Sequence, residues 1–158
     1  MNLPKPVKRI LFVCYGNLCR SVLAEAVMKR LQRDRGLGHI AVASAGIGAL
    51  PDYPAPRPIV EVAREYGLDV SGHRSRPMSP FLLDWADIVL TMESYMRDEI
   101  HRMWPQRNLD KVFLLGGFAP GNSSAKEIDD PYGGSADDFR RCFQEIEISV
   151  QGLLGTLV

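Results

Sequence analysis

The sequence predicts an α/β fold: a single domain over residues 1–158, with a four-stranded parallel sheet and helices on both faces. Three observations point there. Short apolar runs rich in β-branched residues alternate with segments of helical period along the chain. The first run, Val7–Val13, is apolar almost throughout, as a strand buried on both faces must be. The chain has 158 residues, 46% of them hydrophobic, which suffices for one core and leaves little for a second.

The elements follow in order. After the Val7–Val13 strand, Leu23, Ala24, Val27, Met28 and Leu31 recur at helical spacing. Ser21 is the expected cap of that helix, with Glu25 close to capping-box spacing, and Gly36 and Gly38 end it. Ile40–Ala45 reads as a second strand closed by Gly46. The stretch from Gly48 to Pro58 holds Pro51, Pro54, Pro56 and Pro58 and reads as loop. A helix is expected over Ile59–Tyr66, stopped by Gly67. Ser79-Pro80 supplies a cap and a first-turn proline for a short helix to Trp85. Ile88–Thr91 is a third strand, Ser94–Trp104 a helix ended by Pro105, and Val112–Leu115 a fourth strand. Gly116–Gly134 is expected to be a long polar loop, a feature often tied to function. The closing helix runs from about Ala136 to Leu154, with Phe139, Cys142, Phe143, Ile146 and Val150 on one face. Strand-helix alternation of this kind makes a right-handed parallel sheet, whose ligands sit beyond the carboxyl ends of the strands.

Composition narrows the function classes. Lys+Arg and Asp+Glu are 19 each, so a general binder of nucleic acid or anionic membrane is not expected. No apolar run approaches the ~20 residues that span a bilayer. Residues 1–6 read as a short frayed lead-in without the apolar segment of a secretory signal. Three cysteines do not make a disulfide scaffold, and the expected setting is a reducing cytoplasm.

The densest signal is Cys14-Tyr15-Gly16-Asn17-Leu18-Cys19-Arg20-Ser21. It places a thiol at a strand end, a tight loop after it, and a helix N-terminus beyond. Loop N–H groups between Tyr15 and Arg20 are expected to converge as an anion-binding nest. The Arg20 guanidinium offers a planar fork to two phosphate oxygens. Helix terminus and guanidinium together favour a thiolate at Cys14, the form that acts as a nucleophile. Gly16 is expected to free a backbone angle that a side chain would obstruct, and Asn17 to tolerate the left-handed region. Cys19 has two readings, a small loop residue or a resolving thiol for Cys14. Cys142 faces the core of the last helix and reads as inert packing. A metal site is not expected: no thiol or histidine pair has ligand spacing, and Arg20 would repel a cation. The Gly-Lys-Ser/Thr end of a nucleotide-binding loop is also missing.

A thiolate that displaces an alkoxide or phenoxide from phosphorus needs a proton for the leaving group. The late segment Asp129-Asp130-Pro131-Tyr132-Gly133-Gly134 carries the candidate. As a sequence it is also an ordinary turn; its place after the last strand is what brings it to the catalytic edge. Asp130 is preferred to Asp129 because Pro131 restricts it directly. Tyr132 can form an aromatic wall.

These residues resemble the low-molecular-weight protein-tyrosine phosphatase family. Its signature, Cys-x-Gly-Asn-x-Cys-Arg-Ser followed by a late Asp-Pro-Tyr, is matched at residues 14–21 and 130–132. Ser44-Ala45-Gly46, Gly72-His73-Arg74 and residues 86–92 also look like family segments, so the likeness runs from about Lys8 to the last helix. The resemblance implies a phosphatase-I-like fold and a two-step, metal-independent reaction with no cofactor. Cys14 would take the phosphoryl group, Arg20 clamp it, and Asp130 serve as acid and then base. It also implies a supporting network of Asn17, Ser21, Ser44 and His73, although His73 alone reads as a turn residue beside Gly72. Tyr15, Leu18, Leu50 and Tyr132 would wall the substrate pocket. The pattern departs at Val22, where proline is usual, at Leu50, where many members have tryptophan, and at Gly133, where a second aromatic is usual. Leu50 looks like bacterial members paired with tyrosine autokinases. The implied partner is therefore a phosphotyrosine-containing protein, such an autokinase among them. The sequence sets no oligomeric state.

Three rival functions remain. A protein-arginine phosphatase shares this framework, and Gly133-Gly134-Ser135 resembles those enzymes. They tend to carry threonine at the position of Leu18, whose apolar side chain better suits a phenyl ring. A thiol arsenate reductase needs additional mobile cysteines. A non-catalytic phosphate-binding module predicts a missing nucleophile or acid.

Overall fold

A computed structural model describes residues 3–157. Met1 and Asn2, the start of the expected lead-in, lie outside the described residues; Leu3 packs against the core. The first strand, β1, spans Arg9–Cys14 and is buried after its first residue. It starts two residues later than the apolar pattern does, and the Asp87 carboxylate accepts from the N–H groups of Lys8 and Arg9 there, at 2.8 and 2.9 Å. Helix α1 covers Arg20–Asp34. Strand β2 is Ala41–Gly46, helix α2 Arg57–Glu65 and helix α3 Pro80–Trp85. Ser79 caps α3 as its sequence signalled, its hydroxyl accepting from Leu82 N at 3.1 Å. Strand β3 is Ile88–Thr91, helix α4 Ser94–Met103, strand β4 Val112–Leu114 and helix α5 Ala136–Leu157. Among the described residues no helix is long and apolar enough to cross a membrane.

The sheet is parallel throughout, in the order β2-β1-β3-β4. β1 lies between two neighbours, so its side chains alternate between two cores. Ile10, Phe12 and Cys14 face the core made with α1, α2 and α5. Leu11 and Val13 face the smaller one made with α3 and α4. Each fully buried aliphatic or aromatic side chain here contributes roughly 1.5–3 kcal/mol. The stacking of Tyr66 on Phe143, with ring centroids 4.1 Å apart, locks α2 to α5. Cys14 is the last residue of the central strand and pairs with Gly46 at the carboxyl edge.

Three local expectations are corrected. Ser21 does not cap α1: the helix begins at Arg20 with Cys19 in the cap position and no side-chain cap bond. The Ser21 hydroxyl is turned inward instead. Gly16 has no left-handed backbone angle, and a Cβ there would meet only Leu18, at an ordinary 3.8 Å. The left-handed residue is Asn17, at φ 54°. The stretch Gly116–Gly134 is not polar loop from its start. Leu115–Phe118 forms a buried 3-10 turn, and a Cβ on Gly117 would lie 2.9 Å from Ser124 Cα. These glycines let the loop fold back on itself beneath α5.

Gly46 is the tight point of the fold. A Cβ there would lie 2.6 Å from both Asn17 N and Tyr15 O, which are main-chain atoms of the Cys14 loop. Gly46→Ala is therefore expected to destabilise the protein by about 1–3 kcal/mol. Thermal or urea melts check this, and an unchanged midpoint would contradict the packing described.

Candidate active site

The sheet edge carries a bowl built by residues 14–20. Cys14 ends β1, Arg20 starts α1, and the turn between them passes through the left-handed Asn17. Among the described residues, no N–H of residues 15–19 donates to a main-chain carbonyl. Amides left free by such a turn form an anion-binding concavity.

Arg20 is only 2% exposed. Its Nη1 donates to Glu93 Oε1 at 2.6 Å and to the Ile128 carbonyl at 2.7 Å. Its Nη2 lies 3.7 Å from Asp130 Oδ2. Its Nε is buried and makes no hydrogen bond among the described residues. Burial alone would lower the guanidinium pKa. The Glu93 hydrogen bond and the charges of Cys14, Asp130 and Glu93 outweigh it and hold the value above the ordinary one.

The loop containing Asp130 is pinned residue by residue. Glu127 Oε2 accepts from Ser94 N at 2.7 Å, at the start of α4. Ile128 N donates to the Met92 carbonyl at 2.9 Å, just past β3. Asp130 Oδ1 accepts from Tyr132 N at 3.0 Å. Asp130 keeps 46% of its side chain exposed while reaching Arg20. Asp129 is exposed and has no ion pair among the described residues.

Behind the bowl lies a polar chain whose direction can be worked out. Arg76 N can only donate, and it bonds to Asn17 Oδ1 at 2.9 Å. The Asn17 amide must then present Nδ2 to the hydroxyls of Ser21 and Ser44, each at 2.9 Å. Both hydroxyls accept from Asn17, so each has its own proton to give. Ser44 gives it to Glu25 Oε1 at 2.5 Å. Ser21 Oγ lies 2.9 Å from Cys14 Sγ and can give its proton to the sulfur. His73 Nε2 donates to the Asn17 carbonyl at 2.7 Å. The four residues that the family resemblance implied, Asn17, Ser21, Ser44 and His73, thus lie in one network. A polar groove of about 800 Å³ runs along its outer side, past Glu25, Ser44 and His73, and is separate from the bowl.

Of the residues expected to wall the pocket, Tyr15, Leu50 and Tyr132 are exposed and Leu18 is half-buried. Tyr95, in the first turn of α4, stands beside them. Its phenol pKa is raised by burial and by the charges of Glu93, Cys14 and Tyr15, with Arg20 acting against them. Cys19 is half-buried, and burial, then the Cys14 charge, pushes its thiol up to about 12. Burial does the same to Cys142.

Sequence reasoning missed Glu93, Glu25, Tyr95 and the Ile128 carbonyl. Glu93 and Tyr95 had a usable signal, since both follow a strand at the edge where ligands bind. Glu25 lies one turn beyond Ser21, but its spacing suggested a cap. A main-chain carbonyl leaves no trace in a sequence.

The model of the family described as low molecular weight phosphotyrosine protein phosphatase matches residues 9–158. The chain belongs to that family and is a hydrolase of it. A probable low molecular weight protein-tyrosine-phosphatase EpsP of Ralstonia nicotianae is 35% identical, over 91% of this chain and 92% of its own length. A protein-arginine-phosphatase of Geobacillus stearothermophilus is 36% identical, over 92% and 93%. Among solved structures, the tyrosine phosphatase Wzb from Escherichia coli K30 in complex with sulphate has a TM-score of 0.85 at 32% identity, covering 96% of this chain and 99% of that one.

The thiol values predict reactivity. Cys19 and Cys142 titrate at about 12 in the fold, so both are neutral at about pH 8 and react slowly with alkylating agents. Iodoacetamide is expected to label Cys14 alone, as mapped by mass spectrometry, and inorganic phosphate to protect it. The raised thiols add stability that is fully present below pH 9.0, where an unfolded thiol ionises, and is lost as pH rises toward 12. Labelling of Cys19 as fast as Cys14 would contradict this assignment.

Proposed function

We propose that the chain hydrolyses phosphotyrosine in proteins through a phosphocysteine intermediate. The observation that carries this reading is Arg20. It is a buried cation held by Glu93 and Ile128, with an unbonded Nε and with Asp130 at 3.7 Å, at the rim of the Cys14 loop. A phosphate oxygen would supply the acceptor that Nε lacks. Cys14 Sγ attacks phosphorus, the bond from phosphorus to the phenol oxygen breaks, and Asp130 hands its proton to the departing phenoxide. Asp130 then takes a proton from water as that water attacks phosphocysteine, releasing phosphate and returning the thiolate. Ser21 donates to the sulfur in both thiolate states. Arg20 and the loop amides meet the charge on the transferring phosphoryl group, so the scheme is metal-independent and uses no cofactor.

Leu18 and the aromatic side chains of Tyr15, Tyr95 and Tyr132 support a phenol leaving group. The proposed substrate is a tyrosine-phosphorylated protein in the cytoplasm, a bacterial tyrosine autokinase being the partner that Leu50 suggests. A protein-arginine phosphatase is the second reading, supported by the 36% identity to an enzyme of that name. Cys19 is proposed as the resolving thiol that pairs with Cys14 under peroxide, in a disulfide that dithiol reverses.

Turnover of paired phosphotyrosine and phosphoarginine peptides tests the assignment, and faster hydrolysis of the phosphoarginine peptide would favour the second reading. Cys14→Ser is expected to reduce hydrolysis of p-nitrophenyl phosphate to background. Asp130→Asn is expected to lower kcat by roughly a hundredfold or more, with KM little changed. Full turnover by Cys14→Ser would end the covalent scheme.

A further inference from the structure

We propose that Gly48 is a positioning residue for substrate recognition: having no side chain, it lets the Tyr15 ring recline against the loop after β2 and so keeps the mouth of the bowl wide enough for an aryl phosphate. The inference rests on the phosphotyrosine reading above and deepens it by naming what shapes the entrance.

Tyr15 follows Cys14 directly, and two main-chain bonds clamp this point to the loop after β2. Ile47 N donates to the Cys14 carbonyl at 3.0 Å and Gly48 N to the Tyr15 carbonyl at 2.9 Å. With the backbone held, only the side-chain torsions of Tyr15 remain free. Its ring lies directly over Gly48. A Cβ at Gly48 would be 2.5 Å from the ring Cζ, 2.6 Å from the hydroxyl and 2.8 Å from Cε2. The three nearest atoms all belong to this one ring. Gly48 also lacks a left-handed backbone angle, so its backbone admits alanine. The tightest contacts that a side chain at this position would meet therefore come from the Tyr15 side chain.

The ring stays 54% exposed where it lies, with one face against the loop and the rest at the entrance. A Cβ at 48 cannot coexist with it, and the ring must swing. Tyr95 lies near enough for the Tyr15 charge to act on its phenol, so a ring displaced from Gly48 would turn toward Tyr95 across the mouth. A swung ring would stand where the substrate phenyl group enters. The floor of the bowl would be spared, because the three atoms nearest a Cβ at residue 48 all belong to the Tyr15 side chain and none to Arg20 or the Asn17 network. Small ions would reach the floor as before, and aryl esters would not. The displaced atoms are the far end of a flexible side chain, so the fold itself bears little of the strain.

A double-mutant cycle with Tyr15→Leu and Gly48→Ala tests this. The readouts are KM and kcat for a phosphotyrosine peptide and Ki for inorganic phosphate. Gly48→Ala is expected to raise KM roughly tenfold, as expected for crowding an apolar pocket, with kcat falling far less and phosphate Ki unmoved. In the Tyr15→Leu background the same substitution is expected to leave KM where Tyr15→Leu alone put it. An unchanged KM in Gly48→Ala, an equal KM rise in both backgrounds, or a parallel rise in phosphate Ki would each overturn the inference. A wild-type protein that does not hydrolyse the peptide removes the underlying reading as well, and that failure appears before any variant is made.

Discussion

The active edge of this molecule depends on one buried cation. The guanidinium of Arg20 belongs to the first turn of α1, yet its partners come from the end of β3, through Glu93, and from a loop more than a hundred residues on, through the Ile128 carbonyl and Asp130. No two of these segments are adjacent in sequence. A charge this deep is tolerable only when paired, and removing a partner from a buried ion pair typically costs about 3–5 kcal/mol. The same contacts also bring Asp130, 3.7 Å from Arg20 Nη2, to the start of the helix that follows the Cys14 loop. Stability and assembly of the site are one interaction.

On the other side of the bowl, Asn17 plays the complementary part. It is fully buried in a left-handed conformation, and its amide is oriented by a single main-chain N–H from Arg76. That one obligatory donor polarises the whole chain, through Ser44 to Glu25 on one branch and through Ser21 to Cys14 on the other. The sulfur thus lies 2.9 Å from a hydroxyl that Asn17, oriented well away from it, holds in place. Arg20 brings positive charge to the rim, and Asn17 brings a hydrogen bond from behind. Gly46, pressed against the main chain of residues 15–17, keeps both arms at one distance.

Much of this was legible in the chain. β-branched apolar runs marked strands that the sheet then paired, and Ile88–Thr91 and Pro80–Trp85 fell within their observed bounds. Cys14, Arg20 and Asp130 could be picked out because each sits in a pattern with a mechanical reason. Pro131 singled out Asp130 over Asp129 in the sequence; in the structure Asp130 lies 3.7 Å from Arg20, while Asp129 has no ion pair among the described residues. Where local rules failed, a competing tertiary contact had taken the residue. Ser21 has the chemistry of a cap, but its hydroxyl serves Asn17 and Cys14. Glu25 has near capping-box spacing, but Ser44 claims it. Gly116 and Gly117 look like loop, but close main-chain approach buries them.

Chain order alone set out the succession of elements, the strand-loop-helix that holds the thiol, and the candidates for chemistry. Those are properties of neighbours along the chain, set by periodicity, backbone freedom and spacing. Contacts between distant segments set which carboxylate steadies Arg20, which way the Asn17 amide points, and how the Tyr15 ring lies over Gly48. Those depend on distances between segments that meet only after the sheet has closed. A hydrogen bond or a clash of a few tenths of an ångström is invisible until both partners are in place.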